Sequence, residues 1–235
     1  MNKIIIVIFL IMLALAGCTE KIHVKVIPRS SSELVKLRIV SPQNGEIINS
    51  TSVRIAFEAE NFDVERGDNE LHFILDNGPR LTHKSKEPFF VSSLSEGRHI
   101  IRAFAAKGWG ESVKDSEAFV IVQFYVKKNN SELLNTHLPM LTYNEPAGYF
   151  KGESAKRVLL DFLATNVMLS KDGYKVIYRL DGAAHELTSV SPIYLTNLAP
   201  GTHTIDLELV DKSGNLAEGN FVKTQRDIVV LEEKK

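Results

Sequence analysis

One stretch occurs twice in this chain, and it limits the fold more than any other feature. The first copy, EPFFVSSLSEGRHIIRAFAAKGWGE, runs from Glu87 to Glu111, and the second, SPIYLTNLAPGTHTIDLELVDKSGN, from Ser191 to Asn215. Each has a proline, an apolar pair, a leucine, then Gly-x-His, an alternating segment and a glycine-containing turn. Pro88 matches Pro192, Leu94 matches Leu198, Gly97 matches Gly201 and His99 matches His203. A repeat about 100 residues apart means two copies of one domain, because solenoid periods are shorter. A chain of 235 residues has room for two such cores.

The alternation extends beyond the repeat core. Val53, Ile55, Phe57 and Ala59 align with Val158, Leu160, Phe162 and Ala164, and Leu71, Phe73 and Leu75 with Val176, Tyr178 and Leu180. A period of two marks half-buried strands. Turn chemistry follows at Asp76-Asn77-Gly78-Pro79 and Asp211-Lys212-Ser213-Gly214. No window sustains a helical period; one helical turn is expected at most, over Glu132 to Asn135. Short strands with regular turn signals predict an all-β chain of two tandem β-sandwiches. The first spans 37–126, a polar linker 127–139, and the second 140–232. With so few apolar residues in the linker, damage to one sandwich is expected to stay there.

The front of the chain reads differently. After Asn2 and Lys3, Ile4 to Ala16 is an unbroken apolar run, too short to span a bilayer and suited to a signal peptide over 1–17. Leu15-Ala16-Gly17-Cys18 resembles the lipobox of bacterial lipoproteins. That resemblance implies lipid, palmitate included, on Cys18 as the first mature residue, followed by a tether over 18–36. Thr19 after the cysteine implies the outer membrane where the source has one. Two or more acyl chains hold a protein firmly, whereas one holds it marginally. Cys18 is the only cysteine, so no disulfide is available. A formal charge of −1 gives no general attraction to nucleic acid.

The Leu-x-x-Gly-x-His strand followed by a glycine turn resembles bacterial immunoglobulin-like and fibronectin type III-like domains. Several stretches resemble a family of uncharacterised secreted bacterial proteins, well represented in cyanobacteria, with two such domains. They are Leu71 to Asn77, Arg102 to Ala105, Glu111-Ser112, Leu138 to Tyr143 and Leu159 to Phe162. The family tends to have Trp-His-Glu-Ser where this chain has Trp109-Gly110-Glu111-Ser112. The resemblance implies the fold and export, and it implies no activity.

Candidates for chemistry are few. His99 and His203 share the inward face with Ile101 and Ile205, where a histidine bonds a loop carbonyl. His72 faces the opposite way from Leu71 and Phe73. Together with His83 and His99 it forms the only grouping that suits copper or zinc, and parity sets His72 apart from His99. Trp109, the only tryptophan, sits between two glycines. There it anchors a sugar or a protein partner, with Glu111 at hand, or folds back over the sandwich end. Asp76, Asp172 and Asp181 lie singly at turns, unlike a calcium cluster. No nucleophile, zinc-protease or phosphate-loop motif is present. The expectation is a non-enzymatic envelope module without cofactor, held to the membrane through Cys18 and meeting an envelope protein or glycan.

Overall fold

The computed structural model describes residues 34–232. Ile22, Val24 and Val26 alternate with His23 and Lys25, the pattern of a short strand; this stretch, Cys18 and the signal peptide lie outside the described residues. The first repeat supplies β1 (Lys36–Ser41), β2 (Ile47–Ile48), β3 (Val53–Glu60), β4 (Asn69–Leu75), β5 (Arg80–His83), β6 (Phe89–Val91), β7 (Gly97–Lys107) and β8 (Phe119–Val126). The second supplies β9 (Met140–Glu145), β10 (Gly148–Phe150), β11 (Val158–Thr165), β12 (Lys175–Leu180), β13 (Ala183–Leu187), β14 (Ile193–Leu195), β15 (Gly201–Val210) and β16 (Lys223–Val230).

Both repeats build the same pair of sheets. A three-stranded sheet in the order β1-β3-β6 faces a five-stranded one in the order β2-β8-β7-β4-β5. The second repeat gives β14-β11-β9 facing β10-β16-β15-β12-β13, strand for strand. The chain is therefore two tandem immunoglobulin-like β-sandwiches. The strands alternate as expected: Val53, Ile55, Leu71, Phe73, Ile101 and Phe124 fill one core. Val158, Leu160, Phe162, Val176, Tyr178 and Ile205 fill the other.

Local conformation explains several repeated residues. Asp76 and Asn77 both have positive φ, as do Asp181 and Gly182. In the second repeat Asp181 and Gly182 alone join Leu180 to its partner Ala183, the two-residue hairpin turn whose twist matches its strands. In the first, Asp76 and Asn77 are the central residues of a turn closed by Gly78 N donating to Leu75 O at 2.8 Å, and Gly78 and Pro79 lengthen the loop. Gly97 and Gly201 take φ of 121° and 139°, a region closed to other residues, which is why the motif begins with glycine.

Four short edge strands, β5, β6, β13 and β14, and the β2 and β10 segments carry too few residues to show a period. The closing strand, expected from its apolar residues over Ile228 to Leu231, runs from Lys223 to Val230. The turn expected at Glu132 to Asn135 is not helical. This linker instead lies along β8: Tyr125 Oη donates to Ser131 O at 2.5 Å, and Gln123 and Leu134 exchange two hydrogen bonds.

Linker composition does not govern how the sandwiches couple. The outer face of β4, β7 and β8 packs on the outer face of β9 and β11, where Ile74 and Phe104 meet Leu163, with Phe119 against them. Strand β7 is consequently buried on both faces from Ile100 to Ala106.

Candidate functional site

The seam between the sandwiches holds the densest set of buried polar groups. Asp161, on the outer face of β11, is fully buried. Its Oδ2 accepts hydrogen bonds from Ser112 N at 3.0 Å, Ser112 Oγ at 2.6 Å and Asn144 Nδ2 at 2.7 Å. Its Oδ1 accepts one from Lys114 Nζ at 2.5 Å, which also donates to Ser112 Oγ and to Phe162 O, both at 2.7 Å. Ser112 and Lys114 belong to the first repeat, Asn144, Asp161 and Phe162 to the second. A buried carboxylate tolerates loss of water only with this many donors and a matched cation.

Asn144 carries the network on. Its Nδ2 also donates to Gly110 O at 2.5 Å, and its Oδ1 accepts from His72 Nδ1 at 2.8 Å. His72 Nε2 lies 2.9 Å from Glu70 Oε2, and Lys84 closes the chain of contacts on Glu70. Burial holds the His72 imidazole below its ordinary value; Glu70 and Asn144 pull it up, and Arg80 adds to the depression. Glu70 stays below the usual carboxylate range, because Lys84 and His72 outweigh its burial.

Three arginines flank this line. Arg102 is fully buried, donates to Leu141 O at 2.9 Å, Thr142 Oγ1 at 3.2 Å and Asn77 Oδ1 at 2.7 Å, and lies 4.2 Å from the Phe221 ring centre. Burial, with Arg226 near, pushes its guanidinium down to about 10, still charged at neutral pH. Arg226 donates to Tyr143 O and Asn144 O at 2.7 and 2.8 Å. Arg80 pairs with Glu145 at 2.7 Å.

Burial pushes Glu145 up to about 7 from 4.5, against the pull of Arg80 and Arg226 and with Asp161 adding to the rise. A carboxyl whose folded value is raised binds its proton more tightly when folded. Its contribution to stability is therefore greatest below pH 4.5 and falls as pH rises from 4.5 to about 7. Buried His72 acts oppositely: its depressed value costs stability as pH falls below 6.5. Glu145→Gln should remove the first slope and leave the second. The mutant's stability relative to the parent should then rise between pH 5 and 8, measured by urea denaturation; a constant difference would exclude the assignment.

The residues singled out from sequence fall in separate places. His72 does face away from Leu71 and Phe73, but the surface it faces is the second sandwich, not solvent. His99 Nδ1 lies 2.5 Å from Asp76 Oδ2 and its Nε2 2.8 Å from Ser95 O. His203 repeats this with Asp181 at 2.7 Å and Ala199 O at 2.7 Å. Burial alone would depress His203, but Ala199 O and Asp181 outweigh it and raise the imidazole. His83 Nε2 pairs with Glu87 O at 2.9 Å, with its ring against Phe89. The structure thus does not bring His72, His83 and His99 together, and among the described residues no three metal-ligating side chains converge.

Trp109 stays out on the surface, 57% exposed, rather than folding back over the sandwich end. Its Nε1–H donates to Glu111 Oε2 at 2.9 Å, which fixes the indole. Gly110, next to it, has φ of 96° and packs against the Glu145 side chain, with no room for a Cβ to spare.

Sequence reading missed Asp161, Asn144, Lys114, Ser112 and Arg102. A signal existed in the outward positions of the two repeats. Where the first has Ala56 and Glu58, the second has Asp161 and Leu163; where the first has Ile74 and Phe104, the second has Arg179 and Glu208. Divergence at outward positions marks the two faces that meet.

No family model matches the sequence, and neither does any curated protein. Among solved structures, the chain is similar to fibronectin(III)-like modules of Clostridium thermocellum CbhA. Identity there is 13% over 85% of this chain and 98% of that one, with a TM-score of 0.31. It is also similar to the central fibronectin-III array of RIM-binding protein, at 11% identity over 87% of this chain and 64% of that one, with a TM-score of 0.29. The fold assignment rests on sheet order and register, not on these likenesses.

Proposed function

We propose that this chain is a non-catalytic, lipid-anchored module of the bacterial cell envelope whose two sandwiches act as one rigid unit. The observation that supports the rigid unit is the buried seam on Asp161. The densest ionisable cluster among the described residues spends its hydrogen-bonding capacity on joining one sandwich to the other. A polar seam of this kind fixes register between the two bodies, whereas a flexible linker would leave their relative orientation free. Such a unit suits a spacer or a binding platform held at a set distance from a membrane.

The anchor is Cys18, through the lipobox resemblance of Leu15-Ala16-Gly17-Cys18. Thr19 directs the protein to the outer membrane where the source has one. Cys18→Ser should leave the precursor unprocessed and without lipid, as read by intact mass and by labelling with a fatty-acid analogue. A Cys18→Ser protein that matures normally and still carries lipid would defeat the anchor.

A second reading draws on Trp109. An exposed indole held by Glu111 presents a flat apolar face with a polar rim, which suits a sugar ring or a protein side chain. Because Trp109 is the only tryptophan, its fluorescence reports this loop alone. Titration with envelope oligosaccharides should shift the emission, and Trp109→Ala should abolish binding measured by calorimetry. An unchanged spectrum across the series would remove glycans from this reading.

A further inference from the structure

The apolar part of the seam does not end at Leu163. It continues outward into an open groove of about 540 Å³ between β8 and the end of β11, lined by Phe119, Ile121, Leu163, Val167 and Val190. One wall of the groove is a strand edge. Strand β2 covers only the far half of β8, pairing with Tyr125 and Val126. Next to them Gln123 O accepts from Gly45 N at 2.7 Å, so Gln123 points its backbone away from β7. In an antiparallel pair this orientation recurs every second residue. Ile121, opposite Arg102 in the register, therefore turns its N–H and C=O outward as well. Among the described residues, no strand pairs with that edge at Ile121.

Two further features favour an occupant. Thr165 Oγ1, in the lining of the same groove, is buried and has no hydrogen-bond partner. A short apolar edge, Phe119-Val120-Ile121, is only partly buried, and strand edges of this composition are ordinarily charged, capped or paired. Two charged side chains line the groove: Lys114 is already matched by Asp161, and Asp115 is likewise engaged. The groove therefore offers main-chain hydrogen bonds and apolar contact in place of ionic recognition.

We propose that this groove is a strand-addition site. It takes an extended, uncharged segment of a partner protein, with alternate apolar side chains directed at Leu163, Val167 and Val190. The segment extends the five-stranded sheet by hydrogen bonding to Ile121, the mode in which main chain gives affinity and alternate side chains give specificity. This goes beyond the rigid-module reading and does not depend on the lipid anchor or on Trp109.

The probe is a capped synthetic peptide of alternating threonine and valine, added to the isotopically labelled mature chain. Exchange of the Ile121 amide should slow by at least about tenfold on saturation, as for a newly formed ladder hydrogen bond. Amide shifts should centre on Ile121 and Thr165. A peptide of the same composition interrupted by proline should do neither. Ile121→Pro removes the outward N–H at an edge position, where proline is tolerated, and should abolish the shifts at Thr165. Val190→Lys, at the half-buried rim, should weaken them without disturbing the sheet. The proposal fails if the peptide leaves Ile121 exchange unchanged, or if binding survives Ile121→Pro. It fails equally if the Ile121 amide is protected without peptide and is freed by Val24→Asp. That result would assign the groove to the chain's own N-terminal segment.

Discussion

Asp161→Ala is expected to destabilise the protein by about 3–5 kcal/mol, the usual cost of removing one partner of a buried ion pair. The substitution strands several donors at once. Lys114 Nζ is left buried with only Ser112 Oγ and Phe162 O, and the Ser112 N–H and Asn144 Nδ2 each lose an acceptor. Water has little access to repair this, since Asp161, Ser112 and Asn144 are all buried. Adding Lys114→Met should recover part of the loss, because it withdraws the uncompensated charge. A double-mutant cycle from urea denaturation would give the coupling. A cost below about 1 kcal/mol for Asp161→Ala would mean that solvent reaches the seam and that the sandwiches are not clamped there.

Phe162→Ala should cost a similar amount, about 3–5 kcal/mol, through lost burial and the cavity left behind. Its repeat partner Phe57 should cost clearly less. Phe162 is fully enclosed in the second core. Phe57 is only half-buried and lines an apolar opening of about 250 Å³ beside Phe62 and Val64, so truncation there removes less enclosed surface. Equal positions in a repeat are thus unequal in energy. The damage should also cross between the sandwiches. Phe162 O accepts from Lys114 Nζ of the first repeat, and its neighbours Asp161 and Leu163 both lie in the seam. Hydrogen exchange in Phe162→Ala should therefore accelerate in both halves. Acceleration confined to the second half would restore the independence that the polar linker leads one to expect.

The His99 and His203 pair shows how far sequence reading reaches. Strand parity placed both inward beside a loop carbonyl, and Ser95 O and Ala199 O are those carbonyls. Parity could not supply the other partner. Asp76 and Asp181 come from a different hairpin, at positions chosen from sequence for their turns alone. His72 fails in the opposite sense. Its outward direction was legible, but alternation reports which side of a strand a residue takes and not what lies there.

For this chain the amino-acid order alone determined the two sandwiches, their inner cores and their hairpin turns. Each of these rests on local periodicity or on backbone conformations that only certain residues adopt. The tertiary structure alone decided that the outer face of β4, β7 and β8 meets that of β9 and β11, and hence that Asp161, Asn144, Lys114 and His72 form one network. The physical reason is that period-two alternation encodes one buried face per strand. When a second face is buried by another sheet, the alternation vanishes, as in Ile100 to Ala106, where every residue is buried. What covers that second face depends on strands 39 and 40 residues away, such as Leu141 and Thr142 against Arg102, and no local pattern carries that distance.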